Sequence, residues 1–136
     1  MISKWGDRLL NINQPHYPER NNVYDTLPMV YNSAKYSLNM DAYREPMDGY
    51  TSNRIWAILN FHGLCVTNYF PGMEDLGLID GETCIVFNNP DELFNKIEYY
   101  DSRPADRDRI RLNGYVLGKS RHTHKQRFKE MEKVIA

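Results

Sequence analysis

The stretch Gly49 to Pro71, GYTSNRIWAILNFHGLCVTNYFP, constrains the fold more than any other part of the chain. Asp48-Gly49 makes a turn, and Thr51, Ser52 and Asn53 form a polar cluster suited to capping a helix. About ten residues of helical pattern follow, then a break at His62-Gly63 and a β-rich run from Leu64 to Thr67. The order is loop, helix, turn, strand. In a parallel α/β sheet such a loop lies at the carboxyl end of a strand, where ligands bind. The free N–H groups of the helix's first turn suit an anion such as phosphate.

The rest of the chain narrows the class. Its 136 residues read as a single domain, 1–136, with one core. Seventeen Lys and Arg stand against eighteen Asp and Glu, which argues against a nucleic-acid or membrane-surface protein with a basic excess. No apolar run approaches the roughly 18 residues of a membrane span. The start, MISKWGDRLLNINQ, has no apolar core of a secretory signal, so a cytoplasmic location is expected. Cys65 and Cys84 fall inside apolar strand-like runs and read as reduced, buried core residues.

Residues 1–22 are weakly patterned and read as an irregular N-terminal segment broken by two prolines. A helix is predicted from Asp25 or Thr26, with Pro28 in its first turn, to near Lys35. Tyr36–Met40 alternates and reads as a strand; the loop after it carries Arg44, Glu45 and Asp48. In the helix from about Ser52 to Phe61, Ile55, Ile58, Leu59 and His62 form the buried stripe, with Asn53, Ala57 and Asn60 on another face. Strands follow at Leu64–Thr67 and Thr83–Phe87, separated by a helical turn at Met73–Leu76. Asn88-Asn89-Pro90-Asp91 opens a helix whose stripe is Leu93, Phe94, Ile97 and Tyr100. Arg103-Pro104 opens a charged helix in which Ile110, Tyr115 and Val116 are expected to pack and the charges to be solvated. His122-Thr123-His124 precedes a last helix. Two histidines at i, i+2 do not share a helix face, His16 and His62 have no ligand-spaced partners, and neither metal nor cofactor is expected. Strands alternating with helices predict an α/β fold. It should be a partial Rossmann-like three-layer domain with a small parallel sheet, about three to four strands flanked by helices.

Taken together, YNSAKYSLNM, GYTSNRIWAILNFHGLCVTNYFPGMEDL, CIVFNNPDELFNKIEYY, a charged helix and HTHKQRF resemble the C-terminal domain of group 1 glycosyltransferases. The nearest flavour is the CgeB-like spore-maturation branch, and the resemblance covers roughly Trp5 to Phe128. It implies half of a GT-B architecture, the half that binds the nucleotide-sugar donor. On that basis Tyr50, Thr51, Ser52, Asn53 and Arg54 match the positions facing the donor diphosphate. Free amides, hydroxyls and one guanidinium suit that ligand. Plain N-capping by Thr51 and Ser52, and an ion pair by Arg54, stay open as alternatives.

Two residues depart from the family pattern. Ala57 stands where the family carries a glutamate that accepts hydrogen bonds from the donor ribose, so Asn53, Asn60 or Glu74 would have to replace it. His62 stands where the family has a small residue. The resemblance also begins after an early strand and includes no acceptor domain. The expected function is therefore a nucleotide-sugar donor-binding domain, incomplete for catalysis alone. Its expected partners are a nucleotide-sugar or nucleoside diphosphate, and a second copy or partner chain covering the open edge at Tyr36–Met40. A non-catalytic nucleotide or phosphate module, and an interaction protein that keeps only the fold, are the alternatives.

Overall fold

A computed structural model of the chain describes residues 23–41 and 47–135. The irregular segment expected at 1–22, together with Arg44 and Glu45, lies outside the described residues. Three parallel strands, β1 (Ser37–Asn39), β2 (Cys65–Asn68) and β3 (Ile85–Phe87), form a sheet in the order β1-β2-β3. Ser37 pairs with Cys65 and Leu38 with Val66; Val66 in turn pairs with Ile85 and Asn68 with Phe87. Five helices flank this sheet among the described residues: α1 (Val23–Ser33), α2 (Asn53–Asn60), α3 (Pro90–Asp101), α4 (Pro104–Arg121) and α5 (His124–Ile135). The α/β fold with a small parallel sheet is the one expected.

A parallel sheet must be covered on both faces, and the strand sequences show why this one can be. Side chains alternate across the pleat. Cys65, Cys84 and Val86 join Ile55, Ile58 and Leu59 of α2, Phe70, Met73 and Leu78 of the following loop, and Leu117 of α4. Leu64, Val66, Ile85 and Phe87 point the other way and pack with Leu93 and Ile110, with Tyr36, Leu38, Ile97 and Tyr100 at the margin. Cys65 and Cys84 are free thiols in this core.

Several elements differ from the sequence pattern in instructive ways. Helix α1 begins before Asp25, so Pro28 lies inside it rather than in its first turn, at the loss of one backbone hydrogen bond. Helix α2 ends on a left-handed residue, His62 (φ 62°), and Gly63 N–H donates to the Ile58 carbonyl at 2.8 Å. His62 therefore leaves the buried stripe and meets Tyr115 edge-on, with ring centroids 4.8 Å apart. In α4 the buried residues are Ile110, Gly114, Leu117 and Gly118, while Val116 faces solvent. The two glycines let α4 lie against Leu59 and Asn60 of α2, and that close approach turns Val116 outward.

The arginines of α4 do more than solvate its outer face. Arg107 donates to the carbonyls of Tyr100 and Asp101 at the end of α3. Arg111 donates to those of Asn32 (2.9 Å) in the last turn of α1 and Ala34 (3.0 Å) just past it. Both guanidiniums satisfy carbonyls that a helix C-terminus leaves without intrahelical partners. The outer edge of β3 is closed in a similar way. Asp80 accepts Val86 N–H at 2.8 Å, and Lys96 donates to the Val86 carbonyl at 2.5 Å and to Asp80 at 2.6 Å. Beyond β1, no further strand pairs among the described residues.

Candidate functional site

The carboxyl ends of β1 and β2 meet the start of α2, and a polar network joins them. Asn39, the last residue of β1, is fully buried and donates through Nδ2 to Thr67 Oγ1 at 3.1 Å. Its Oδ1 accepts the Ser52 hydroxyl at 3.0 Å. Asp41, two residues further on, is held by its own N–H, which donates to Asn68 Oδ1 at 3.0 Å. Its carboxylate turns toward α2: Oδ1 accepts Ser52 N–H at 3.2 Å, and Oδ2 accepts the Thr51 hydroxyl at 3.0 Å. Ser52 occupies the N-cap position with extended backbone (φ −70°, ψ 154°) but makes no side-chain cap bond to the first turn. The helix start thus holds an anion, and that anion is a side chain of this chain.

Loop closure above the crevice depends on two glycines. Gly49 N–H donates to the Pro71 carbonyl at 2.8 Å, tying the loop after β1 to the loop after β2. Gly72 has φ +79°, and a Cβ there would stand 2.5 Å from Asp48 Oδ1.

The residues expected to face a donor diphosphate divide into groups. Thr51 and Ser52 converge on the Asn39–Asp41 network. Tyr50 and Asn53 are exposed. Arg54 is also exposed, and its charge is felt at Tyr31 of α1: burial raises the Tyr31 phenol pKa and the Arg54 cation opposes that shift. Glu74 lies apart from them, at a cleft of about 200 Å³ beyond β3 that also involves Tyr69, Met73, Asp80, Asn88, Glu92 and Lys96. In this cleft Lys96 bridges Asp80 and Glu92, at 2.6 and 3.2 Å. Hydrogen bonds from Asn88 hold the Glu92 carboxyl below its usual range. Cleft volumes that take drug-sized ligands start at about 300 Å³, so this cleft is smaller than such a site.

Sequence reasoning missed Asn39, Asp41, Thr67 and Asn68. Only Asn39 carried a signal, as a polar residue ending an apolar strand. Sequence reasoning weighed His122 only as a possible metal partner of His124 and as part of the HTHKQR motif, not as a packing residue. His122 is buried and stacks on Trp56 of α2, with ring centroids 3.9 Å apart. Its Nε2–H donates to the Leu76 carbonyl at 2.8 Å and its Nδ1 accepts from Arg127 at 2.9 Å, which requires the neutral ring. Burial lowers its pKa below the ordinary value of 6.5, and the cations of Arg127 and Arg121 act in the same direction. Thr123 and Gln126 form a reciprocal capping box at the start of α5. The late histidine and arginine of HTHKQR are thus a structural clamp between α2, the 73–78 loop and α5.

Fold and site together define a Rossmann-like α/β domain whose strand-end crevice carries an anion-holding helix start. The chain belongs to the glycosyl transferase-like family, whose model matches residues 2–133. No curated protein and no solved structure matches it.

Proposed function

We propose that this chain is the nucleotide-sugar donor-binding domain of a glycosyltransferase of the GT-B type, in the CgeB-like branch. The family match carries the proposal, because it spans the whole crevice from Asn39 to Glu74. The local chemistry supports it. Ser52 N–H and the Thr51 hydroxyl already hold a carboxylate, so the start of α2 is competent for an anionic oxygen. In this proposal Thr51, Ser52 and Asn53 meet the donor diphosphate and Tyr50 and Arg54 close over it. Glu74 reaches the donor only after the 69–78 loop moves, since it lies at the neighbouring cleft. Sugar transfer would need an acceptor-binding domain from elsewhere in the polypeptide or from a partner. The unpaired outer side of β1 among the described residues offers an edge for such a partner or for a second copy.

Ala57 favours a second reading, a nucleotide-binding module without turnover, because a methyl group cannot accept the ribose hydroxyls. One experiment tests the nucleotide site that both readings share, and turnover of a bound nucleotide-sugar then separates them. A thermal-shift screen with uridine, guanosine and adenosine diphosphates and their sugar conjugates should show stabilisation by one base. Ligand at about 100 times its dissociation constant contributes roughly 2.7 kcal/mol. Loss of that shift in Arg54→Ala supports a nucleotide site at the start of α2. A flat response from folded protein across the panel rejects nucleotide binding altogether.

A further inference from the structure

We infer that Asp41 sets the anion affinity of this crevice, acting as an internal competitor for the phosphate position at the start of α2. The inference rests on the donor-site reading above. Among the groups that reading assigns to the diphosphate, Ser52 N–H and the Thr51 hydroxyl already donate to the two oxygens of one carboxylate. The Ser52 hydroxyl is not a spare ligand, because it donates to the fully buried Asn39. Moving the Asp41 carboxylate away gives up the two bonds it accepts, while its backbone stays anchored by the N–H bond to Asn68. A phosphate reaching Ser52 must therefore either displace the carboxylate or sit beside it, and two anions a few ångströms apart repel strongly in a partly enclosed site. The acid of the neighbouring loop, Asp48, is exposed and lies against Gly72 rather than on the α2 amide. It contributes only to the general field.

Asp41→Asn keeps the shape and one acceptor for Ser52 N–H while removing the charge. Asp41→Ala vacates the space and serves as the second variant. Titration calorimetry on the full chain at fixed salt, with pyrophosphate and uridine diphosphate as probes, reads the effect. Asp41→Asn should bind pyrophosphate at least tenfold more tightly than wild type, Asp41→Ala at least as tightly as Asp41→Asn, and Asp48→Asn should change affinity less than threefold. An unchanged Kd in both Asp41 variants, with melting temperatures showing them folded, overturns the inference. So does an equal gain from Asp48→Asn, which would mean a diffuse field. If wild type binds the nucleotide well and the Asp41 variants bind it no better, the donor reading stands and the competitor falls. If the Asp41 variants gain for pyrophosphate and no nucleoside diphosphate binds better than pyrophosphate, the competitor stands and the nucleotide reading falls.

Discussion

Gly114→Ala tests how α4 holds α2, and through α2 the crevice, in place. Two effects oppose each other. Alanine gains about 1 kcal/mol of helix propensity over glycine. Against this, its Cβ would stand 2.6 Å from the Thr83 carbonyl oxygen and 2.8 Å from Leu59 Cδ2. Neither partner yields easily: one is backbone and the other is a fully buried core side chain. Relief to ordinary contact requires a retreat of α4 by roughly 0.8 Å, and a gap of that size forfeits a quarter to a half of the dispersion attraction across the contact. Ile110 and Leu117, buried on the same helix, each contribute about 1.5–3 kcal/mol when fully packed. Overpacking plus that loosening amounts to about 3 kcal/mol, so the net loss is about 2 kcal/mol. In a domain of this size that lowers Tm by about 6–8 °C. Gly118→Ala is the internal control. Its Cβ meets Asn60 Oδ1 and Leu59 Cβ at 3.2 Å, a contact relieved by a shift of a few tenths of an ångström. Helix propensity should offset that cost to within about 0.5 kcal/mol. Urea unfolding followed by circular dichroism measures both variants. A Gly114→Ala protein as stable as wild type, or a Gly118→Ala protein equally destabilised, refutes the steric account of this interface.

Three further outcomes are expected. Because the folded-state pKa of His122 lies below its unfolded value of 6.5, the unfolded chain takes up the proton first as pH falls. The stability that His122 contributes is therefore complete above about pH 6.5 and is lost as pH falls through the folded pKa. Melting temperatures of wild type should drop in that window, the drop should be absent in His122→Gln, and an identical profile in the variant counts against the clamp. Lys96→Met removes the donor to the Val86 carbonyl and the bridge between Asp80 and Glu92. It should cost about 1–3 kcal/mol in urea unfolding, with hydrogen exchange accelerating at β3; protection unchanged at β3 would show that this edge is covered otherwise. Burial drives the Cys65 thiol pKa far above its ordinary range and that of Cys84 up to about 12. Neither should react with an aromatic disulfide reagent at pH 8 until the protein is unfolded, and labelling of native protein within minutes would contradict the core placement.

What could be read from the sequence was set by how local the relevant physics is. The strands of the sheet were legible because apolar alternation and continuous β-branched runs report burial directly, and the Asn89-Pro90 helix start because capping acts over three residues: Glu92 N–H does donate to Asn89 Oδ1 at 2.9 Å. The packing face of α4 was misjudged because it is chosen by two glycines. Glycines carry no hydropathy signal, and their value lies in the neighbour they admit. The same limit applies with more consequence at the crevice. Thr51 and Ser52 looked like a cap or a phosphate ligand, and in the fold they are engaged by residues 10 and 13 positions earlier. Asp41 sits in a polar loop where an acid is unremarkable, and only the approach of the β1 end to the α2 start brings its carboxylate onto the helix amide. The chain's own carboxylate thus satisfies the Ser52 N–H at the start of α2. The proposed competition between Asp41 and a phosphate turns on that one contact, Ser52 N–H on the Asp41 carboxylate, which no local sequence pattern announces.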